Sequence, residues 1–68
     1  MCKICDKIGA NAGKVWVALH EGGRQEIKIL KKATKLTDKD LYAALGWLAR
    51  ECKISIEEIE KESFVSLT

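Results

Sequence analysis

The 68-residue chain has no proline, one histidine, one phenylalanine, one tyrosine and no strong excess of either charge. No internal repeat, linker or low-complexity tract interrupts it. No apolar run approaches the roughly 18–20 residues a membrane span needs; the longest candidate, Tyr42 to Ala49, holds eight residues including a glycine. Lys3, Asp6 and Lys7 break up the start of the chain, where a signal peptide would carry its apolar core. With 12 Lys+Arg against 10 Asp+Glu and a pI near 8.5, the balance is mildly basic. It stays below the pI above ~9 that marks a strong nucleic-acid footprint. These shortages lead to the expectation of a soluble, cytoplasmic chain with no membrane association.

What is present suits a globular fold. Hydrophobic residues make up 47% of the sequence, too many for a disordered chain. The length allows one domain, residues 1–68. A core this small rarely supplies more than ~3–5 kcal/mol, so such folds usually need a further staple. Three cysteines cannot all pair within one chain, and nothing points to an oxidising compartment. Self-association is the staple expected here, as a homodimer.

Periodicity places the elements. Ile8, Ala12, Val15 and Leu19 recur at helical spacing, predicting a helix from about Asp6 to His20 with Trp16 beside the stripe. Gly9, Ala10 and Gly13 are small residues within it that invite another helix to pack closely. Glu21-Gly22-Gly23 ends that helix. Arg24 to Ile27 reads as a short extended piece, and Lys28 to Thr34 as a second helix with Ile27, Leu30 and Ala33 on one side. Thr37 is a good N-cap, with Asp40 placed to complete a capping box, for a third helix reaching about Glu51. Leu41, Ala44, Leu45 and Leu48 form its core stripe; Lys39, Ala43, Gly46 and Arg50 face away, with Tyr42 and Trp47 on the two flanks. Lys53-Ile54-Ser55-Ile56-Glu57 alternates like a strand, as Phe64 to Thr68 does less cleanly, with Glu58 to Ser63 a charged bend between them.

This order is α+β, the plan of a winged helix-turn-helix domain with three helices followed by a C-terminal β-hairpin wing. The run Ala44-Leu45-Gly46-Trp47-Leu48-Ala49-Arg50-Glu51 followed by Lys53-Ile54 resembles the end of the third helix and the first wing strand of that superfamily. With Gly9, Ala12-Gly13-Lys14, Leu19, Leu30-Lys31-Lys32-Ala33 and Leu36, the chain resembles a family of small stand-alone prokaryotic winged helix-turn-helix domains of uncharacterised function. Cys52 departs from the pattern, since glycine or asparagine is more usual at that turn.

Two functions compete. The resemblance implies a DNA-binding or transcription-associated module, with Lys28, Lys31, Lys32 and Lys35 meeting phosphates and Lys39 and Arg50 approaching the groove. The third helix is nevertheless a sparse reader of bases, because Ala43 and Gly46 carry no hydrogen-bonding side chain. Its smooth face suits a protein-interaction or dimerisation surface built on Tyr42, Gly46 and Trp47. Trp47 packing beneath the hairpin is the plainer alternative.

Local charge separates more than the total suggests. Lys28 to Lys39 holds five lysines against one aspartate, whereas Glu51 to Glu62 holds five glutamates against two lysines. The basic stretch suits phosphates; the acidic hairpin repels them, and suits the basic helix of a neighbouring chain or another protein. Both also read as solvated faces.

No catalytic constellation emerges. Cys2-Lys3-Ile4-Cys5 has the spacing of half a zinc site, but only Cys52 and His20 remain as further Cys or His ligands. No metal and no cofactor is expected. His20 suits the C-terminal end of a helix dipole. Ser55, Ser63 and Ser66 lack a nucleophile elbow or activating base, Glu57, Glu58, Glu60 and Glu62 read as a solvated hairpin edge, and Gly22-Gly23 is too short to cradle a phosphate. The chain is expected not to be an enzyme.

Overall fold

A computed structural model describes residues 3–68. Its order is α1 (Lys3–Gly22), β1 (Gln25–Glu26), α2 (Ile27–Thr34), α3 (Asp38–Arg50), β2 (Ile54–Ile59) and β3 (Glu62–Leu67). This is the winged helix-turn-helix arrangement expected, with one addition. The short extended piece becomes β1 and pairs antiparallel with β3, Gln25 opposite Val65 and Glu26 opposite Phe64, giving a three-stranded sheet of order β1-β3-β2.

The core follows the helical stripes. Ala12, Val15 and Leu19 of α1 meet Leu41, Ala44, Leu45 and Leu48 of α3, and Leu30, Ile54 and Val65 close the cluster. Ile8 and Ile27 are only half-buried, and Ala33 is exposed, so α2 contributes Leu30 alone to the fully buried set. The short, charged α2 leaves Ile29 52% exposed, at the edge of a groove shared with α1.

Helix ends are settled by local chemistry. Thr37 Oγ1 accepts the Asp40 N–H at 3.2 Å, the expected cap of α3. The reciprocal half of a capping box does not form, as the Asp40 carboxylate meets Lys7 of α1 at 3.4 Å. Gly23, at φ 73°, ends α1 by donating its N–H to Leu19 O at 2.8 Å. At the other end of α3, Cys52 N–H reaches Ala49 O and Lys53 N–H reaches Leu48 O, at 3.1 and 3.0 Å. Those two bonds are a Schellman cap, whose turning residue must be left-handed. Cys52 takes that conformation at φ 58°, so the departure from glycine leaves the turn intact and puts a side chain where it is strained.

The hairpin differs from the sequence reading. Its strands run on to Ile59 and Glu62, which pair directly, and the bend shrinks to Glu60 and Lys61. Both have positive φ, 50° and 70°. That is the handedness of a type I′ turn, which suits the twist of a two-residue hairpin. Neither residue is the glycine or asparagine that normally signals one. Of the alternating isoleucines only Ile54 is buried; Ile56 and Ile59 are 47% and 44% exposed.

Two stability measurements check this packing. Leu45 is 2% exposed, and Leu45→Ala should cost about 2–5 kcal/mol, as emptying a core site does. An unchanged melting temperature would show that the stripe lies elsewhere. Cys52→Gly should raise stability by roughly 0.5–1 kcal/mol, because relief of the left-handed backbone outweighs glycine's unfolded-state entropy. Denaturant titration that finds a loss instead would contradict the Schellman geometry.

Candidate nucleic-acid interface

Helices α2 and α3 form the helix-turn-helix, joined through Lys35, Leu36 and Thr37. Lys35 is left-handed at φ 59° and its N–H donates to Lys31 O at 2.9 Å, which closes α2. Leu36 packs against the core and Thr37 opens α3. Because Leu30 points inward, the lysines of α2 point outward. Lys28, Lys31, Lys32 and Lys35 surround one open depression of about 600 Å³ with Leu36 and Asp38. Lys31 Nζ bonds Asp38 Oδ1 at 2.8 Å. Such a solvated pair contributes about 0–1 kcal/mol. Lys28, Lys32 and Lys35 are exposed and in no ion pair among the described residues. The four lysines expected to act together are therefore adjacent.

The outward side of α3 is less concentrated. Lys39, Gly46 and Arg50 are exposed and Ala43 is half-buried. Lys39 lies in the first turn and Arg50 in the last. At 1.5 Å rise per residue they stand about 16 Å apart along the axis, too far to act on one base step. Between them the helix is shallow. A side chain at Gly46 would meet no heavy atom of the described residues within 4 Å.

Tyr42 and Trp47 do not share a face. Tyr42, 58% exposed, borders a small hollow with Ile27, Lys28 and Lys61, between α2 and the wing turn. Trp47, 40% exposed, lies on the other flank, against α1. Its Cζ2 comes within 4.0 Å of where a Gly9 side chain would begin. That is ordinary contact distance, so the close helix packing expected at Gly9 does not require glycine there. Nor is it required at Gly13, where nothing among the described residues lies within 4 Å of the would-be side chain.

The wing is acidic, with one local correction to its charge. Arg24 Nη2 reaches Glu57 Oε2 at 3.5 Å while its guanidinium lies over the Phe64 ring, 5.1 Å from the centroid. Glu51 meets Lys53 at 3.8 Å. Glu58, Glu60 and Glu62 are exposed outside any ion pair among the described residues. Arg24 escaped the sequence reading because its partner is 33 positions away in the chain. The stacking of Trp16 on His20, with centroids 4.9 Å apart and planes at 10°, was also missed. Their i, i+4 spacing on a helix was the available signal.

Cys2, half of the C-x-x-C spacing, lies outside the described residues; Cys5 and Cys52 are both exposed. Among the described residues no group of three or more His, Cys, Asp or Glu side chains is placed to hold a metal. No described helix is long and apolar enough to cross a membrane.

Glycine in a helix interior costs about 1 kcal/mol relative to alanine, and nothing among the described residues crowds Gly46. Gly46→Ala should therefore raise stability by roughly 0.5–1 kcal/mol. A loss of stability in thermal or denaturant unfolding would show that the fold itself requires this glycine.

Comparison with known proteins agrees with this geometry. The chain is similar to protein BT2368 from Bacteroides thetaiotaomicron, whose solution NMR structure superposes with a TM-score of 0.83 at 39% identity, covering 91% of this chain and 76% of that one. No curated protein sequence matches it. The family model for the winged helix-turn-helix domain DUF2582 matches residues 1–67, and the chain belongs to that family.

Proposed function

We propose that residues 1–68 act as one cytoplasmic, non-enzymatic domain, a DNA-binding, transcription-associated module that works as a homodimer. The observation that carries the DNA reading is the gathering of Lys28, Lys31, Lys32 and Lys35 around one depression on the first helix of the helix-turn-helix. In this architecture the first helix crosses the phosphate backbone while the second enters the major groove. The lysines of α2 then neutralise phosphates, and the shallow surface at Ala43 and Gly46 lets α3 approach the groove floor. Lys39 and Arg50 reach it from opposite ends. With so few groups to read base edges, binding is mainly electrostatic, with low sequence selectivity.

A second reading is supported by the wing. Glu58, Glu60 and Glu62 repel a phosphate backbone. A module that engages protein through Trp47, Gly46 or Tyr42 has no such conflict. Tyr42 and Trp47 lie on different flanks, so this reading engages one flank at a time.

Fluorescence anisotropy of a labelled random duplex at about 50 and 200 mM salt separates the two. The DNA reading expects a Kd of ~10⁻⁴–10⁻⁶ M that weakens steeply with salt. Lys32→Glu with Lys35→Glu should lower affinity at least about tenfold and reduce the salt slope by roughly 2, at about 0.9 per phosphate contact. Absence of binding at the lower salt, or an unaffected double variant, would retire the DNA reading in favour of a protein partner.

A further inference from the structure

Helix α1 buries Ala12, Val15 and Leu19 on one side and presents the opposite side to solvent. At 100° per residue, Asp6, Ala10, Gly13, Val17 and His20 share that outer side, and all five are exposed. It is apolar at its centre, where Val17 is 47% exposed, and at its edge, where Trp16 is 38% exposed beside Trp47. Gly13 and Val17 border both grooves that flank the helix, one against α2 and one against Trp47. Among the described residues, nothing lies within 4 Å of where a Gly13 side chain would begin.

Along this face, the chemistry at one end complements the chemistry at the other. Across a twofold axis at Gly13, two antiparallel α1 helices bring each residue opposite the one equally far on the other side of position 13. Gly9 and the second copy's Trp16 then lie together on one side of the contact, and Ala10 and its Val17 on the other, so each large side chain meets a small one. Asp6 faces the second copy's His20, and Lys3 falls within a helical turn of its Glu21, so each acid meets a donor of opposite character. Parallel packing would instead set Asp6 on Asp6 and Trp16 on Trp16. An isologous interface requires this kind of self-complementarity.

We infer that the outer face of α1 is the homodimer interface, where a second copy of this chain packs antiparallel across Gly13. This rests on the homodimer reading proposed above. Sedimentation velocity between about 5 and 500 µM, with circular dichroism as the check on folding, tests both. Lysine is a better helix former than glycine, and the space at Gly13 is open, so Gly13→Lys should stay folded. It should weaken self-association on the order of 100-fold, as disruption at the centre of an interface does. His20→Glu, which sets acid against Asp6, should weaken it about tenfold, and adding Asp6→Lys should restore it. A wild-type chain that stays monomeric throughout would overturn the homodimer reading together with this interface. A wild-type dimer left equally dimeric by Gly13→Lys would overturn the interface alone.

Discussion

The packing of α3 across α1 is the contact on which the rest depends. Leu41, Ala44, Leu45 and Leu48 close onto Ala12, Val15 and Leu19, and α2 and the two long strands each add one fully covered residue, Leu30, Ile54 and Val65. A core this small tolerates little loss, because burial of a single such side chain contributes roughly 1.5–3 kcal/mol against a total stability of similar order. The backbone terminations at Gly23, Lys35 and Cys52 then matter as much as the apolar contacts. Each stops a helix where the next element must turn back onto the cluster. Two of the three are non-glycine residues held left-handed, so the packing overrides a local preference.

That same economy leaves much of the chain outside. Helix α2 is anchored chiefly by Leu30, which frees its remaining surface to carry lysines around one depression. The wing is anchored through Ile54 and Val65, and its turn end carries glutamates instead. Opposite charges are thereby fixed on separate elements, and the modest net charge of +2 conceals the separation. Lys31 with Asp38 and Arg24 with Glu57 trim each patch without abolishing it.

What could be read in the sequence was what depends on neighbours a few residues apart. The stripes of α1 and α3, the cap at Thr37 and the alternation from Lys53 to Glu57 all belong to that class, and together they imply the winged helix-turn-helix. The lysine cluster was legible for the same reason, since three of the four residues share one short helix and Lys35 caps it. What was not legible depends on distant partners. Nothing near Arg24 announces Glu57, and nothing near Gly9 and Gly13 says that only Gly9 has Trp47 against it. Tyr42 and Trp47 look like companions in sequence but are separated by the rotation of their helix. The tight turn at Glu60 and Lys61 carries no glycine or asparagine, so its register emerged only from strand pairing.

The proposed DNA-binding surface is the lysine-lined side of α2, continued by the first turn of α3. Backbone amide chemical shifts, followed residue by residue as duplex DNA is added to the full chain, test it most directly. DNA bound at this surface should perturb residues concentrated from Lys28 to Lys39, with Gly46 affected and the acidic turn at Glu60 and Lys61 unmoved. Shifts confined to the Trp47 flank and the wing, or none at all at low salt, would contradict it.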